Sequence, residues 1–163
     1  MPTNRAEARK QILSIKSELD STYDRYHQAL GDIDIALHGD LHKYMCIRLA
    51  GYLEQLMFEA VTGYVSSSTG GPAGQFAMSW FKRSPNLTPD ALITLIGRFG
   101  EKWEEDIRNF LDTEERKNNL GKLLEVRNKV AHGKSYSGGK MNVATYKELI
   151  DSVHTWVLSR MVD

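Results

Sequence analysis

Residues 41–65 have the sequence LHKYMCIRLAGYLEQLMFEAVTGYV, and this stretch decides the fold. Its apolar residues recur at intervals of three and four and cover much of the circumference of a helix. We therefore predict that this helix is the most buried element of a small helical protein. Arg48, Glu54 and Glu59 interrupt its most apolar part, residues 45–65, which is therefore not expected to span a membrane.

Helical spacing of apolar residues recurs along most of the chain. Asn4 and Glu7 have the spacing of a capping box, which predicts a first helix over about residues 4–30. Residues 88–90 (Thr-Pro-Asp) combine a capping side chain, an early proline and an acid, which together indicate a helix start. No stretch alternates with the period and composition of a strand. The sequence predicts an all-α, single-domain bundle of about five or six helices over residues 1–163.

The segments between these helices are predicted from glycine, proline and capping residues. A flexible loop rich in Ser, Gly and Pro is expected at about 66–74, followed by a weak helix at 75–82 that ends at Ser84-Pro85. A further helix is expected at about 113–133 and a closing helix at about 143–161. Two pairs are predicted to cap these last two helices: Asp112 with Glu115, and Thr145 with Glu148.

Composition limits the class of protein. The chain has 163 residues and 18.5 kDa, about one domain, with 41% hydrophobic and 26% charged residues, which is typical of a globular protein and not of a disordered one. The single cysteine, Cys46, excludes an internal disulfide framework and is expected in the core of a protein from a reducing compartment. The polar first ten residues lack an apolar signal segment. We expect a cytoplasmic protein with no membrane partner.

The charge is balanced overall but unevenly distributed. The chain has 21 basic and 21 acidic residues. Residues 116–140, the basic zone, hold seven basic residues and one acid, Glu125, so the remainder carries 14 basic against 20 acidic residues. Such a zone can guide a polyanion to one place, or it can be a solvated helix face. The charge pattern leaves both interpretations open.

Residues 123–133, LLEVRNKVAHG, lie inside the basic zone and contain the candidate site. Arg127 and His132 are separated by about 500° of helix rotation and ~7.5 Å of rise, so they start from different faces. Asn128 and His132 share a face, so the amide can orient the imidazole ring. A histidine that moves protons beside a guanidinium suits phosphodiester cleavage. The alternative is structural, because the negative end of a helix favours basic residues whatever their function.

Other residues carry weaker signals. His38 and His42 are four apart and could face a metal, but no further Cys or His lies close in sequence, and the intervening Gly39 weakens the helix. The glycine-rich residues 70–74 lack the Gly-Lys-Ser/Thr ending of a phosphate loop. The sequence therefore predicts neither a metal site nor a phosphate loop.

The string Arg-Asn-x-x-Ala-His-Gly at residues 127–133 resembles the signature of the HEPN superfamily. Members are small α-helical bundles with two long N-terminal helices, a variable middle, the motif helix and a closing helix. The variant is similar to the RiboL-PSP-type HEPN proteins. HEPN proteins paired with a nucleotidyltransferase usually carry Tyr two residues after the His, where this chain has Lys134.

This resemblance implies an endoribonuclease that needs no metal and no cofactor, and that serves as a toxin or in defence against phage. Its implied partners are RNA, a second copy in a two-fold homodimer, and an antitoxin or another defence-system protein. By the same resemblance His132 is the general acid or base, Arg127 stabilises charge on phosphorus and Asn128 positions the pair. Lys129 and Lys134 are expected to hold flanking RNA phosphates. The alternative is a non-catalytic HEPN-like module that binds RNA or dimerises.

Overall fold

The computed structural model describes residues 1–81 and 86–163, and all regular structure in these ranges is helical. The all-α prediction is therefore confirmed. No helix in the described ranges is both long and apolar enough to cross a membrane. The elements in chain order are α1 (Arg5–Asp32), a 3₁₀ turn (Ile35–Leu37), α2 (His38–Ser68), α3 (Gly71–Ser79), α4 (Pro89–Gly97), α5 (Glu101–Asp112), α6 (Arg116–Ala131), α7 (Lys140–Val157) and a π turn (Leu158–Val162).

The described residues group into two compact units. The first holds Met1–Ile33, the described part of Gly51–Pro85, and Ile150–Asp163. The second holds Asp34–Ala50 and Asn86–Leu149. The predicted buried helix is present as α2, which has fully buried side chains along its length: Met45, Leu49, Leu53, Leu56 and Met57.

In the first unit, α1 begins where the sequence predicts. The Asn4 side-chain oxygen accepts a hydrogen bond from the Glu7 backbone N–H at 2.9 Å. The Glu7 carboxylate accepts from the Thr3 backbone N–H at 2.8 Å, one residue earlier than an ideal capping box requires. The last turn of the chain packs against α1. This helix start is the best example of a local signal that the structure follows.

A glycine allows the start of α1 to approach the end of α2. A Cβ atom built on Gly63 would overlap the Cβ of Ala8 and would lie 3.2 Å from the carbonyl oxygen of Asn4. The Arg5 backbone N–H also donates to the hydroxyl of Ser67 at 2.8 Å. The two helices therefore meet at a distance that only glycine permits at position 63.

This contact gives a stability prediction. Gly63→Ala should lower the free energy of unfolding by about 1–3 kcal/mol, because the added methyl group must push α1 away. Urea denaturation of the purified variant measures the change. Gly51→Ala is the matched control in the same helix, since its Cβ would have no atom within 4 Å. That control should be unchanged or stabilised by about 0.5–1 kcal/mol. Equal midpoints for the two variants would contradict the close contact.

In the second unit, α4, α5 and α6 pack against one another. The predicted start of α4 is confirmed, because Thr88 is its N-cap and its hydroxyl oxygen accepts from the Ala91 N–H at 3.2 Å, with Pro89 in the first turn. Buried side chains from all three helices form the core of this unit: Leu92, Ile96, Ile107, Leu111, Leu120, Leu123 and Leu124.

The prediction of a flexible loop at about 66–74 is wrong. Helix α2 continues to Ser68, and only two residues separate it from α3, which starts at Gly71. Gly70 is the N-cap of α3, Gly71 has a φ of +60° that favours glycine, and Pro72 stands in the first turn. The same residues that suggest a loop therefore serve here to start a helix. The predicted helix end at Ser84-Pro85 lies outside the described residues.

The capping pair predicted before α6 is also wrong. Asp112 is the last residue of α5, and Glu115 stands at the N-cap of α6 without a side-chain capping bond. Glu115 adopts a left-handed φ of 55°, which turns the chain sharply between the helices. The Arg116 guanidinium donates to the Phe110 carbonyl at 3.1 Å and thereby satisfies the end of α5. Helix α6 thus begins at Arg116, three residues after the predicted start at about 113.

The closing helix starts earlier than predicted. The sequence predicts that Thr145 and Glu148 open it near 143, but α7 begins at Lys140. The side-chain oxygen of Asn142 accepts from the Gly139 N–H at 3.1 Å and holds the first turn. Thr145 lies inside the helix and its hydroxyl bonds the carbonyl of Met141, four residues earlier. The end is close to prediction, with the π turn reaching Val162.

Candidate functional site

The C-terminal end of α6 is fixed by a backbone motif. Gly133 has a φ of +67°, and its N–H donates to the Val130 carbonyl at 3.1 Å. The Lys134 N–H donates to the Lys129 carbonyl at 2.8 Å, which completes a Schellman motif. His132 is the C-cap residue within this motif. The predicted stop at Gly133 is confirmed, and it sets where the His132 and Lys134 side chains leave the helix.

Four of the five predicted site residues line one groove of about 410 Å³: Asn128, Lys129, His132 and Lys134. We call it the His132 groove. Thr88 and Pro89 at the start of α4 also line the groove. Gly121 lines it too and, as a glycine, contributes only backbone atoms. The His132 side chain is exposed, so a ligand in the groove can reach the imidazole. The groove has the size that small-molecule and cofactor sites usually have.

Arg127 occupies a different position. Its side chain is half-buried, and it is not among the described residues that line the His132 groove. One guanidinium nitrogen (Nη1) lies 3.3 Å from Oδ1 of Asn128, a long hydrogen bond. Within the described residues Asn128 makes no side-chain hydrogen bond to His132. The amide therefore links Arg127 to the rim of the groove and does not orient the imidazole ring as expected.

The lysines around the groove differ in how they are neutralised. Lys129 forms an ion pair with Glu125 at 2.7 Å, and the hydrogen bond from Lys129 lowers the pKa of that carboxyl. Lys117 lies 4.0 Å from Asp90. In contrast, Lys122, Lys134 and Lys140 form no ion pair with any described residue. The basic zone therefore keeps free ammonium groups, one of them in the His132 groove, where an anion would be attracted.

A family model for RiboL-PSP-HEPN matches residues 4–159. The chain belongs to the RiboL-PSP-HEPN family. The match extends over nearly the whole chain and includes α6 and the residues that line the His132 groove. No curated protein and no solved structure matches the chain. The all-helical architecture of this HEPN domain agrees with the resemblance drawn from residues 127–133.

The other candidate residues of this HEPN domain form no comparable site. The rings of His38 and His42 meet edge to face at 6.4 Å, and burial lowers the pKa of His42, with His38 contributing. The described residues contain no group of three or more His, Cys, Asp or Glu positioned to hold a metal. Cys46 is fully buried, as predicted, and burial raises the pKa of its thiol to about 11. At neutral pH the thiol is therefore protonated and a poor nucleophile.

Sequence reasoning missed a partly buried polar cluster in the first unit. The Tyr52 hydroxyl lies 2.6 Å from Nδ1 of His154, a pair that is 102 residues apart in sequence. Nearby, the Lys16 ammonium bridges Asp20 at 2.7 Å and Asp151 at 2.9 Å. Burial raises the pKa of Tyr52, and the two aspartates add to the effect. Lys16 and Asp20 are neighbours on one helix, but no local pattern indicates the long-range pairs Tyr52–His154 and Lys16–Asp151, because each partner is an ordinary polar residue of its own helix.

Proposed function

We propose that this HEPN domain is a metal-independent endoribonuclease that serves as a toxin or a phage-defence effector in the cytoplasm. The observation that carries the proposal is the His132 groove, where an exposed histidine stands beside Asn128, Lys129 and Lys134. The free ammonium of Lys134 and the surrounding basic zone suit a polyanionic substrate. A cognate antitoxin or another defence-system protein is the proposed regulatory partner.

In the proposed reaction the 2′-hydroxyl of the RNA attacks the adjacent phosphorus, and the bond to the 5′-oxygen of the next nucleotide breaks. His132 moves the protons, taking one from the nucleophile or giving one to the leaving oxygen. Arg127 stabilises the added negative charge on the pentacoordinate phosphorus. Asn128 holds the guanidinium, while Lys129 and Lys134 bind flanking phosphates. The products are a 2′,3′-cyclic phosphate and a free 5′-hydroxyl.

The proposed site combines two protomers. Within one chain Arg127 is not among the described lining residues of the groove that contains His132. Five residues of helix correspond to about 500° of rotation, which is one full turn plus about 140°. The two side chains therefore leave α6 in directions about 140° apart. In a two-fold dimer with α6 at its interface, Arg127 of the partner subunit can face the His132 groove. A homodimer can therefore bring together Arg127 and His132, which lie apart within one chain.

Product analysis tests this chemistry. We expect the purified protein to cleave single-stranded RNA at the same rate with and without EDTA, because the proposed groups are a His, an Arg and an Asn. The upstream fragment should end in a 2′,3′-cyclic phosphate, detectable by mass spectrometry. Activity that EDTA abolishes and Mg²⁺ or Mn²⁺ restores would mean that a metal performs the chemistry. A protein that binds RNA and leaves every cellular RNA intact would be the non-catalytic module.

A further inference from the structure

A second groove of about 400 Å³ lies beside the His132 groove on α6. Helix α6, the segment 134–139 and the start of α7 form its walls. Most of its exposed surface is polar, and six of its lining residues carry ammonium, carboxylate, hydroxyl or amide groups: Lys122, Glu125, Lys129, Ser135, Ser137 and Asn142. Tyr136 also lines it. We call it the Tyr136 groove. Of its lining residues, only Lys129 has a role in the proposed reaction.

The two grooves share a rim. Glu125 and Lys129 line both of them, so their ion pair separates one groove from the other. A strand bound with a phosphate next to His132 has to cross only this rim to enter the Tyr136 groove. Lys129 can exchange its carboxylate partner for a phosphate on either side, since the pair is solvent-exposed and weak.

The Tyr136 ring packs closely against Gly138. Its hydroxyl is buried near Cys46 and Tyr146 but makes no hydrogen bond of ordinary geometry with any described residue. A Cβ atom on Gly138 would overlap this hydroxyl, so the glycine is required for the ring to lie where it does. Tyr136 is half-buried and lines the groove, with its hydroxyl among the buried atoms.

An aromatic ring beside lysine ammonium groups is a combination that binds single-stranded nucleic acid. Bases stack on tyrosine rings, and lysines hold the phosphates between them. Lys122 has no ion-pair partner among the described residues, so its ammonium is available. The hydroxyls and the amide can contact the ribose and the base edge.

We propose that the Tyr136 groove binds one nucleotide, with its base stacked on Tyr136 and its phosphate held by Lys122 and Lys129. This inference rests on the proposed function for the source of that nucleotide, the RNA strand that crosses the shared rim. The chemistry recognised is a nucleoside phosphate, which a free mononucleotide also presents. The groove would thus make cleavage depend on the nucleotide that flanks the scissile bond.

Binding to a catalytically silenced protein tests the groove. In a His132→Ala background, fluorescence anisotropy measures the affinity for a short single-stranded RNA. Tyr136→Leu should weaken binding roughly 5- to 150-fold, the effect of losing one stacked base. Tyr136→Phe keeps the ring and should bind as the parent does. Tyr44→Leu, at an exposed tyrosine of α2, is the matched control and should change nothing. Equal affinities for the Leu and Phe variants would overturn the proposal.

The charge contact has its own matched pair. Lys122→Ala should weaken binding and lower the slope of log affinity against log salt by about 0.7, the loss of one phosphate contact on a single strand. Lys140→Ala removes a lysine of the same basic zone that also lacks an ion pair but does not line the groove. Its salt slope should equal that of the parent. Identical slopes for the two variants would overturn the phosphate contact.

Crosslinking locates the base without relying on variants that must fold. RNA carrying 4-thiouridine should, on irradiation, attach to the peptide that contains Tyr136. Crosslinks confined to peptides outside 135–146 would overturn the proposal. Mononucleotides separate the two sources: binding of AMP, GMP, CMP or UMP that equals oligonucleotide binding assigns the groove to a free nucleotide, and much tighter oligonucleotide binding assigns it to RNA. Absence of any Tyr136-dependent binding of either overturns it.

The proposed nuclease and the proposed groove fail in different ways. If the wild-type protein cuts no RNA but binds a nucleotide through Tyr136, the proposed nuclease activity is wrong and the proposed nucleotide site is supported. If the wild-type protein cleaves RNA and Tyr136→Leu has the same KM and RNA affinity, the nuclease activity is supported and the proposed nucleotide site is wrong.

Discussion

His132→Ala and Arg127→Ala should each lower the rate of RNA cleavage roughly 10²–10⁴-fold. The first removes the group that moves protons in the proposed reaction. The second removes the cation that stabilises charge on phosphorus, and the remaining groups cannot replace a bidentate guanidinium. Single-turnover cleavage of one labelled RNA at saturating protein measures the chemical step alone. A wild-type rate in either variant would remove that residue from the mechanism.

Both variants should stay folded, so a lost rate reports chemistry. The His132 side chain is exposed, and the Schellman motif around it uses only backbone groups. Arg127 is half-buried and makes a long hydrogen bond to Asn128. Losing such contacts costs about 1 kcal/mol against a total of about 5–15 kcal/mol. Thermal denaturation of each variant checks this point before any rate is compared.

The lysines of the groove provide the contrasting variants. Lys129→Ala and Lys134→Ala should weaken RNA binding and lower the salt slope by about 0.7 each, while the chemical step at saturation stays near that of the wild type. The loss in Lys129→Ala should be the smaller, because Glu125 already neutralises that ammonium. A loss of rate at saturation in Lys134→Ala would place that lysine at the transition state as well.

The helices of this protein could be predicted because their signals are local. The spacing in residues 41–65 corresponds to the buried α2, and Thr88 with Pro89 corresponds to the start of α4. The wrong predictions concern turns, because the same residue types can either form a loop or begin a helix. Gly70 and Gly71 suggest a loop but start α3, and Glu115 suggests a cap but takes a left-handed turn. The conformation of such turns depends on how the neighbouring helices pack, and a local sequence pattern does not contain that information.

The candidate site was predictable in part for the same reason. Asn128 and His132 are one turn apart on α6, so their placement in one groove follows from helix geometry. The wall formed by Thr88 comes from a distant segment, and only packing of α4 against α6 brings it there. Tyr136 lies in an irregular segment whose position depends on the bare Cα of Gly138. No pattern in the sequence indicates that Thr88 lies beside the His132 groove or that Tyr136 lies beside Gly138.

Mixed dimers of Arg127→Ala and His132→Ala chains should regain activity that neither variant has alone. If each site pairs Arg127 of one protomer with His132 of the other, a heterodimer carries one intact site and one doubly defective site. It should therefore reach about half of the wild-type rate, and a random equimolar mixture about a quarter. A site formed within one chain would regain nothing, because every chain then carries one defective group.

The measurement requires the two chains to exchange, so each variant carries a different affinity tag and the heterodimer is isolated by sequential capture. Sedimentation equilibrium of the wild type should give a dimer at micromolar concentration, since a monomer would have no composite site to restore. The double variant, mixed with wild-type chains, is the matched control, because its heterodimers hold two sites with one defect each and should be inactive. Isolated heterodimers that stay at the level of the single variants would contradict the composite site. Arg127 would then have to reach the His132 groove within its own chain by leaving Asn128.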